Sequence, residues 1–331
     1  MGSVMPLIAV WEILRKNYEC IWIGGTRGIE KKVIKEKNIR YIGIPAGKIR
    51  KYLSAKNILA PFLILAGFIT SLFYLLIYRP YAIIVSGSFI STPLIWASWI
   101  LGIRSIVHQE DIKIGLSGRL TIPLASAVTT AFKETSEAIK QKNVYWIGNP
   151  IREIFKDLKD AEIKKWKKGN LPLILILGGG LGSERINNAV KIIAPSLADK
   201  AHIIHLTGKN KTNHLKIKNY TQLEYAGDEL APLMAAADIV VSRAGLSTIG
   251  ELAFLGKPTI LIPLQGVGQE ENADYFFRKN AAVVVDENAG KLKKELLELL
   301  AGNNKREALG KNIKNIFPPD SAEALARLAK G

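Results

Sequence analysis

Several absences narrow the chemistry before any motif is read. The 331 residues hold one cysteine, Cys20, so no disulfide within the chain staples it and a reducing compartment fits. The four histidines, His108, His202, His205 and His214, stand at no metal-ligand spacing with cysteines or acids. No Asp-x-Asp pair is present either, so neither a metal nor a cofactor is expected. Lys and Arg appear by position 16 with no signal-type h-region read ahead of them, so no signal peptide is expected. There is no internal repeat and no low-complexity tract. Acids are scarce: 46 Lys and Arg face 29 Asp and Glu, a net charge of +17. Residues 1–150 carry 19 basic and 8 acidic side chains, +11 of that excess. An acidic partner is implied: nucleic acid, an anionic membrane surface or a diphosphate substrate.

What is present is an alternation of strands and helices, long enough for two α/β domains. Asp238 to Pro263 sets the pattern. Ile239-Val240-Val241 reads as a buried parallel strand, followed by a turn, Ser242-Arg243-Ala244-Gly245, and a helix started by Ser247 or Thr248. Gly256 and Lys257-Pro258 end that helix, and Thr259 to Ile262 is the next strand. Free N–H groups and the positive dipole end at such a helix start suit a phosphate. Glu251 has two readings. It closes a capping box with Thr248, needing no ligand, or it grips the two hydroxyls of a ribose.

The first half opens with a helix, Pro6 to Lys16, where an α/β domain normally begins with a strand and a glycine turn. The strand of that first βα unit is therefore read as missing. Cys20 to Gly24 and Ile39 to Ile44 are strands, with a basic helix between them. Asn57 to Tyr78 carries no charge and is long enough for a membrane span. Its place inside an alternating pattern favours a helix packed on the sheet with an apolar face outward. Flanked by Lys48, Arg50, Lys51, Lys56 and Arg79, that face suits an anionic membrane surface, through residues 48–79. Tyr81 to Val85 and Arg104 to Val107 are strands. The second ends in His108-Gln109-Glu110-Asp111, where open sheets place ligands, although a solvated turn reads the same way. The strand from Val144 leaves into a turn, and the domain boundary is placed at 150/151.

The second half starts with the strand Pro172 to Leu177 and the glycine run Gly178-Gly179-Gly180-Leu181-Gly182, which lets backbone approach a phosphate. Ser183 stands where a dinucleotide fingerprint needs its last glycine, and no acid ends the strand His202 to Leu206. NAD is therefore not expected. His202 and His205 lie in that strand and read as structural. Gln222 to Gly227 is a strand and bend, Ala282 to Val285 the last strand. A terminal helix over 317–331 is expected to pack back towards the N-terminal domain.

The ordered set Gly87-Ser88-Phe89-Ile90-Ser91-Thr92-Pro93, His108-Gln109-Glu110-Asp111, Gly148-Asn149-Pro150-Ile151-Arg152, Gly178 to Gly182, Arg243 to Glu251 and Gln269-Glu270-Glu271-Asn272-Ala273 resembles the MurG family of N-acetylglucosaminyltransferases, over nearly the whole chain. The resemblance implies a GT-B architecture: two Rossmann-like, doubly wound parallel-sheet domains facing a cleft. It implies an inverting, metal-independent transfer from UDP-GlcNAc to lipid I, an undecaprenyl-diphosphate-linked acceptor, on the cytoplasmic face of the membrane. Residues 151–316 would bind the donor through Arg152, Gly179, Gly180, Gly182, Ala226, Arg243, Gly245, Ser247, Thr248, Glu251 and Gln269. Residues 1–150 would take the acceptor through Ser3, Gly87, Ser88 and Asn149, with His108 and Glu110 catalytic. The chain departs from the family pattern at Ser3, where the family has histidine, at Gln109 in place of glutamate, and at Gly180 in place of a hydroxyl residue. Two other readings stay open: a GT-B transferase using another lipid acceptor, and a non-catalytic UDP-sugar-binding protein. A nucleic-acid partner is not expected, because the basic residues interleave with apolar faces and form no known module.

Overall fold

The computed structural model describes residues 2–26, 28, 30–47, 56–167, 169–213 and 215–330. Lys48, Arg50, Lys51 and His214, singled out above, lie outside them. The chain divides into two compact units, Met1–Arg152 with Pro319–Gly331, and Glu153–Pro318. Every strand ladder among the described residues is parallel. Each strand is therefore followed by a crossover, and the strand ends that lead into helices gather on one edge of a sheet.

The first unit runs α1 (Met5–Leu14), β1 (Ile21–Gly25), α2 (Glu30–Glu36), β2 (Arg40–Ile44), α3 (Lys56–Tyr78), β3 (Ala82–Ser86), α4 (Ser91–Ile100), β4 (Arg104–Gln109), α5 (Leu116–Thr121), β5 (Ala127–Thr130), α6 (Lys133–Ala138) and β6 (Val144–Trp146). Its strands form two sheets, β1-β2 and β3-β4-β5-β6. Strand β5 is a short, fully buried Ala-Val-Thr-Thr run that sequence periodicity does not mark. The long apolar helix α3 packs along α4 and buries Ala60, Ser71 and Leu75. Gly67 permits close approach, because a Cβ there would fall 2.4 Å from the Pro45 carbonyl oxygen. Phe62, Leu65, Ile69, Phe73 and Leu76, three or four residues apart, form the opposite face and stay more than half exposed.

The second unit runs α7 (Asp160–Lys164), β7 (Leu173–Leu177), α8 (Glu184–Leu197), β8 (His202–Leu206), β9 (Tyr220–Leu223), α9 (Leu230–Ala236), β10 (Ile239–Ser242), α10 (Leu246–Leu255), β11 (Thr259–Leu261), α11 (Gln269–Arg278), β12 (Val283–Val284), α12 (Ala289–Ala301) and α13 (Asn303–Lys314). These strands make one six-stranded sheet, ordered β12-β11-β10-β7-β8-β9. Succession reverses direction between β7 and β10, the topological switch point of a doubly wound sheet. Sandwiched on both faces, β7 is buried at every position, which its unbroken Leu-Ile-Leu-Ile-Leu run requires. Strand β9 begins two residues earlier than expected, so Gln222-Leu223 end it and 224–227 form the bend.

The terminal helix α14 (Ser321–Lys330) belongs to the first unit. Leu325, Ala326 and Ala329 pack with Val10, Ile106 and Ala127. Arg104 Nη2 donates to the Leu328 carbonyl at 2.9 Å and the Tyr81 hydroxyl to the Lys330 carbonyl at 2.9 Å. Pro318-Pro319 separates this helix from α13, as proline does wherever it follows a helix end.

Ile176, at the centre of β7 and fully buried, tests the core of the second unit. Ile176→Ala should destabilise that unit by about 2–5 kcal/mol, because neighbours on both faces cannot collapse into the space. A lowered urea midpoint with an unchanged slope would show it.

Candidate active site

In the first unit the register places Ser86, His108 and Thr129 side by side across β3, β4 and β5. His108 is wholly buried, its Nδ1 3.0 Å from Thr129 Oγ1. Burial pulls the imidazole down to about 4, against a smaller opposing effect of the Asn149 side chain. Glu110 lies two residues on, beyond the end of the strand, and accepts a hydrogen bond from Ser86 Oγ. It is 7% exposed. Burial pushes its carboxyl up to about 7; the Ser86 hydrogen bond opposes the shift and the Asp111 charge adds to it. His108 is thus held neutral, and Glu110 is poised between its two forms near neutral pH.

Other residues proposed from sequence also belong to this unit. Gly87 follows Ser86 with φ of +41°, in the left-handed region, and nothing would crowd a Cβ there. Ser88 accepts from Ile90 N at 3.3 Å, and its carbonyl accepts from Ser117 Oγ at 2.6 Å. Asn149 is buried in the turn after β6. Ser3 sits half-buried in a 3-10 turn, Gly2–Val4, that leads into α1. Arg152 closes this unit and is half-buried. Ser86 and Thr129 were not singled out from sequence. Only the register of β3 and β5 reveals them.

In the second unit the glycine run leaves β7 and turns into α8. Gly182 has φ of +70°, and a Cβ on it would fall 2.1 Å from the Thr207 carbonyl oxygen, so no other residue fits. Gly179 and Gly180 are exposed at the tip. Ser183 caps α8, its Oγ accepting from Ile186 N at 3.4 Å. Lys211 Nζ donates to the Leu181 carbonyl at 2.9 Å. Behind the loop, Asn187 Nδ2 donates to the Thr207 carbonyl at 3.0 Å, and Asn187 Oδ1 lies 3.0 Å from His205 Nε2. The amide oxygen accepts, so Nε2 carries the proton and Nδ1 accepts from the Tyr220 hydroxyl at 2.9 Å. Burial holds His205 down to about 4, in keeping with a neutral structural ring.

Across the switch point, helix α10 begins at Leu246 with Gly245 as its N-cap and no side-chain cap. The capping box is thereby excluded: Thr248 lies inside the helix, not at its N-cap. The expected start at Ser247 or Thr248 moves to Leu246, because Gly245 is extended and can turn directly into the helix. Gly245, Ser247 and Thr248 thus stand at the start of a helix whose N-cap offers no side chain of its own. Glu251 is 5% exposed, in the second turn. Gln269 opens α11; its Oε1 accepts from Leu264 N at 3.0 Å, and its Nε2 would be 3.9 Å from a Cβ on Gly245. Ala226 stands half-buried in the bend after β9, on the far side of the sheet from Gln269. Arg243 is engaged by protein: Nη2 donates to Ser183 Oγ at 2.6 Å and to Glu287 Oε1 at 2.6 Å, and Nη1 to the Ile262 carbonyl at 3.2 Å. Glu287 was not foreseen, since nothing local marks a residue three positions past a two-residue strand. Among the described residues no group of three His, Cys, Asp or Glu is placed to hold a metal.

The model of the glycosyltransferase family 28 N-terminal domain matches residues 1–130, and that of the family 28 C-terminal domain residues 173–325. A UDP-N-acetylglucosamine–N-acetylmuramyl-(pentapeptide) pyrophosphoryl-undecaprenol N-acetylglucosamine transferase from Borreliella burgdorferi is 35% identical over 340 residues, covering 99% of this chain and 93% of that protein. This chain belongs to the MurG family. The transferase of the same name from Lachnoclostridium phytofermentans is 38% identical over 296 residues, 86% of this chain and 83% of that protein. The crystal structure of Acinetobacter baumannii MurG superposes with a TM-score of 0.78 at 21% identity, covering 99% of this chain and 96% of that one. That likeness establishes the GT-B fold. A Neisseria meningitidis UDP-GlcNAc 2-epimerase bound to UDP-GlcNAc shares it, with a TM-score of 0.69 at 16% identity over 99% of this chain and 96% of that one. Fold alone therefore does not separate transfer from epimerisation, whereas membership of the MurG family does.

The two buried acid–base groups make opposite contributions to pH stability. From about pH 4.5 to 7 the unfolded chain releases the Glu110 proton while the fold retains it, so this contribution falls as pH rises. His108 and His205 stay neutral in the fold down to about 4, so theirs falls as pH drops below 6.5. Glu110→Gln should steepen the gain in stability between pH 4.5 and 6.5 and abolish the loss near 7. Urea midpoints across that range test it, and an unaltered profile would refute the raised carboxyl.

Proposed function

We propose that this chain transfers GlcNAc from UDP-GlcNAc to the 4-hydroxyl of MurNAc in lipid I, with inversion and without a metal. The observation that carries the reading is relatedness to transferases of that name across 99% of the chain, with a glycine loop and an uncapped helix start flanking one switch point. In the second unit the N-terminal ends of α8 and α10 receive the charge that develops on departing UDP. Gly179, Gly180 and Gly182 bring backbone close to the diphosphate. Gly245, Ser247 and Thr248 line the other side, Glu251 holds the ribose hydroxyls, the backbone at Ala226 reads uracil and Gln269 contacts the sugar.

In the first unit the acceptor 4-hydroxyl loses its proton as its oxygen bonds to the sugar C1 and the C1–phosphate bond breaks. Glu110 suits that proton better than His108. Its carboxyl titrates near neutral pH, where a base is both available and strong enough, whereas the buried imidazole is held too acidic. Ser3, a hydroxyl, is not a base near neutral pH. Gly87, Ser88 and Asn149 then frame the acceptor, with His108 fixing the row behind Glu110.

The exposed face of α3 supports docking to the cytoplasmic face of an anionic membrane, with residues 48–79 as the contact. Trp99 and Ile100, at the end of the adjacent α4, are also more than half exposed. An anionic lipid surface would account for the excess positive charge of residues 1–150 without a nucleic-acid partner.

Release of UDP from UDP-GlcNAc with a lipid I analogue tests the transfer. Glu110→Gln should lower kcat by about 10²–10⁴-fold with the donor KM little changed. Glu251→Ala should instead raise the donor KM. Acceptor-independent UDP release, or no UDP-GlcNAc binding, would overturn the reading. For the membrane, co-sedimentation with phosphatidylglycerol vesicles should weaken with salt and be lost in Ile69→Glu/Phe73→Glu. Equal retention on duplex DNA would refute the lipid assignment.

A further inference from the structure

We propose that Arg243 and Glu287 form a latch that positions the glycine loop of the second unit, so that Arg243 serves the donor site through this latch and not by touching the diphosphate. The inference deepens the donor-site reading and rests on it for its consequence, though not for its geometry.

Arg243 leaves the carboxyl end of β10 and its side chain is only 11% exposed. Both Nη2 hydrogens are committed, one to Ser183 Oγ and one to Glu287 Oε1, each at 2.6 Å. Nη1 spends a third on the Ile262 carbonyl at 3.2 Å. The planar fork therefore ties together the turns after β7, β10 and β12 and the end of β11. These are the turns on both sides of the switch point. Ser183 is the sensitive member. Its hydroxyl caps α8 by accepting from Ile186 N at 3.4 Å, and it ends the glycine loop. A guanidinium donating to the same oxygen fixes the rotamer in which that cap is made.

Glu287 shows that this is a latch and not a reserve of positive charge for a phosphate. It accepts from Arg243 and, through Oε2, from Arg185 at 2.8 Å. Burial alone would raise its carboxyl, and the two guanidiniums more than reverse this, so it stays ionised. A fixed carboxylate within 2.6 Å cancels much of the field that Arg243 would offer an anion. Turning Arg243 towards a diphosphate would strip Glu287 and Ser183 of their partner at once. Lys211 braces the loop from its other side by the 2.9 Å bond to the Leu181 carbonyl, so the loop is held between two cations and need not rearrange as UDP enters.

The test compares Arg243→Gln, Glu287→Gln and the double variant in the full chain. Backbone hydrogen exchange over residues 180–187 is read without ligand, and affinities for UDP and for uridine are read by calorimetry. Each single variant should speed exchange in that segment and weaken UDP by roughly ten- to a hundredfold. Uridine, which has no phosphate, should bind as before, which a general loss of structure would not allow. The double variant should be no worse than the poorer single one. If Glu287→Gln leaves UDP affinity intact or improved while Arg243→Gln abolishes it, Arg243 touches the diphosphate and the latch is wrong. Unchanged exchange in both single variants also overturns it. Should Arg243→Gln not fold, Glu287→Gln decides alone. Should the unaltered chain fail to bind UDP, the donor reading falls, and the exchange measurement still decides the latch.

Discussion

Parallel strand pairing is the constraint from which the rest follows. A parallel ladder cannot be closed by a hairpin, so each strand hands the chain to a helix, and every strand-to-helix turn falls on the carboxyl edge. In the second unit this brings the glycine run after β7 and the Ser-Arg-Ala-Gly turn after β10 together at the switch point. In the first it aligns Ser86, His108 and Thr129 in one row. The chemistry is concentrated there because that is where helix starts leave backbone donors unused.

Burial then sorts the polar groups that this edge collects. The same desolvation acts on His108 and Glu110 with opposite sign, since it disfavours the charged form of each. The imidazole becomes a neutral wall and the carboxylate a group that exchanges its proton near neutrality. Ser86 limits the shift by donating to the carboxylate. In the second unit the comparable choice is made by pairing. Glu287 stays ionised because Arg185 and Arg243 both pair with it, and Arg243 is held against it at 2.6 Å.

Much of this was legible in the sequence where one residue type admits one backbone solution. The all-apolar β7, the left-handed Gly256 at the end of α10 and the glycine run at 178–182 announce themselves, as does an outward apolar face on α3 through its place in the alternating pattern. What was hidden depends on residues far apart in the chain. Thr129 lies on a strand of four small residues with no periodic signal, and Glu287 acquires its role only because β12 pairs beside β11. The capping box failed for a local reason. Thr248 and Glu251 have the right spacing, yet Gly245 starts the helix three residues earlier and leaves them inside it.

That failure bears on function. A threonine hydroxyl spent on capping would cover backbone donors at the start of α10 and reduce the site's appeal to an anion. With glycine at the cap no N-cap side chain covers that start, and Glu251 is carried a turn deeper and buried. A carboxylate is expensive to bury, and it is kept in such a place only with partners. A UDP-GlcNAc 2-epimerase shares the fold, so the fold of this unit does not by itself distinguish transfer from epimerisation. What marks this chain as a transferase is therefore its membership of the MurG family, to which the first unit adds a buried carboxyl, Glu110, that burial raises to about 7 just past the end of a strand.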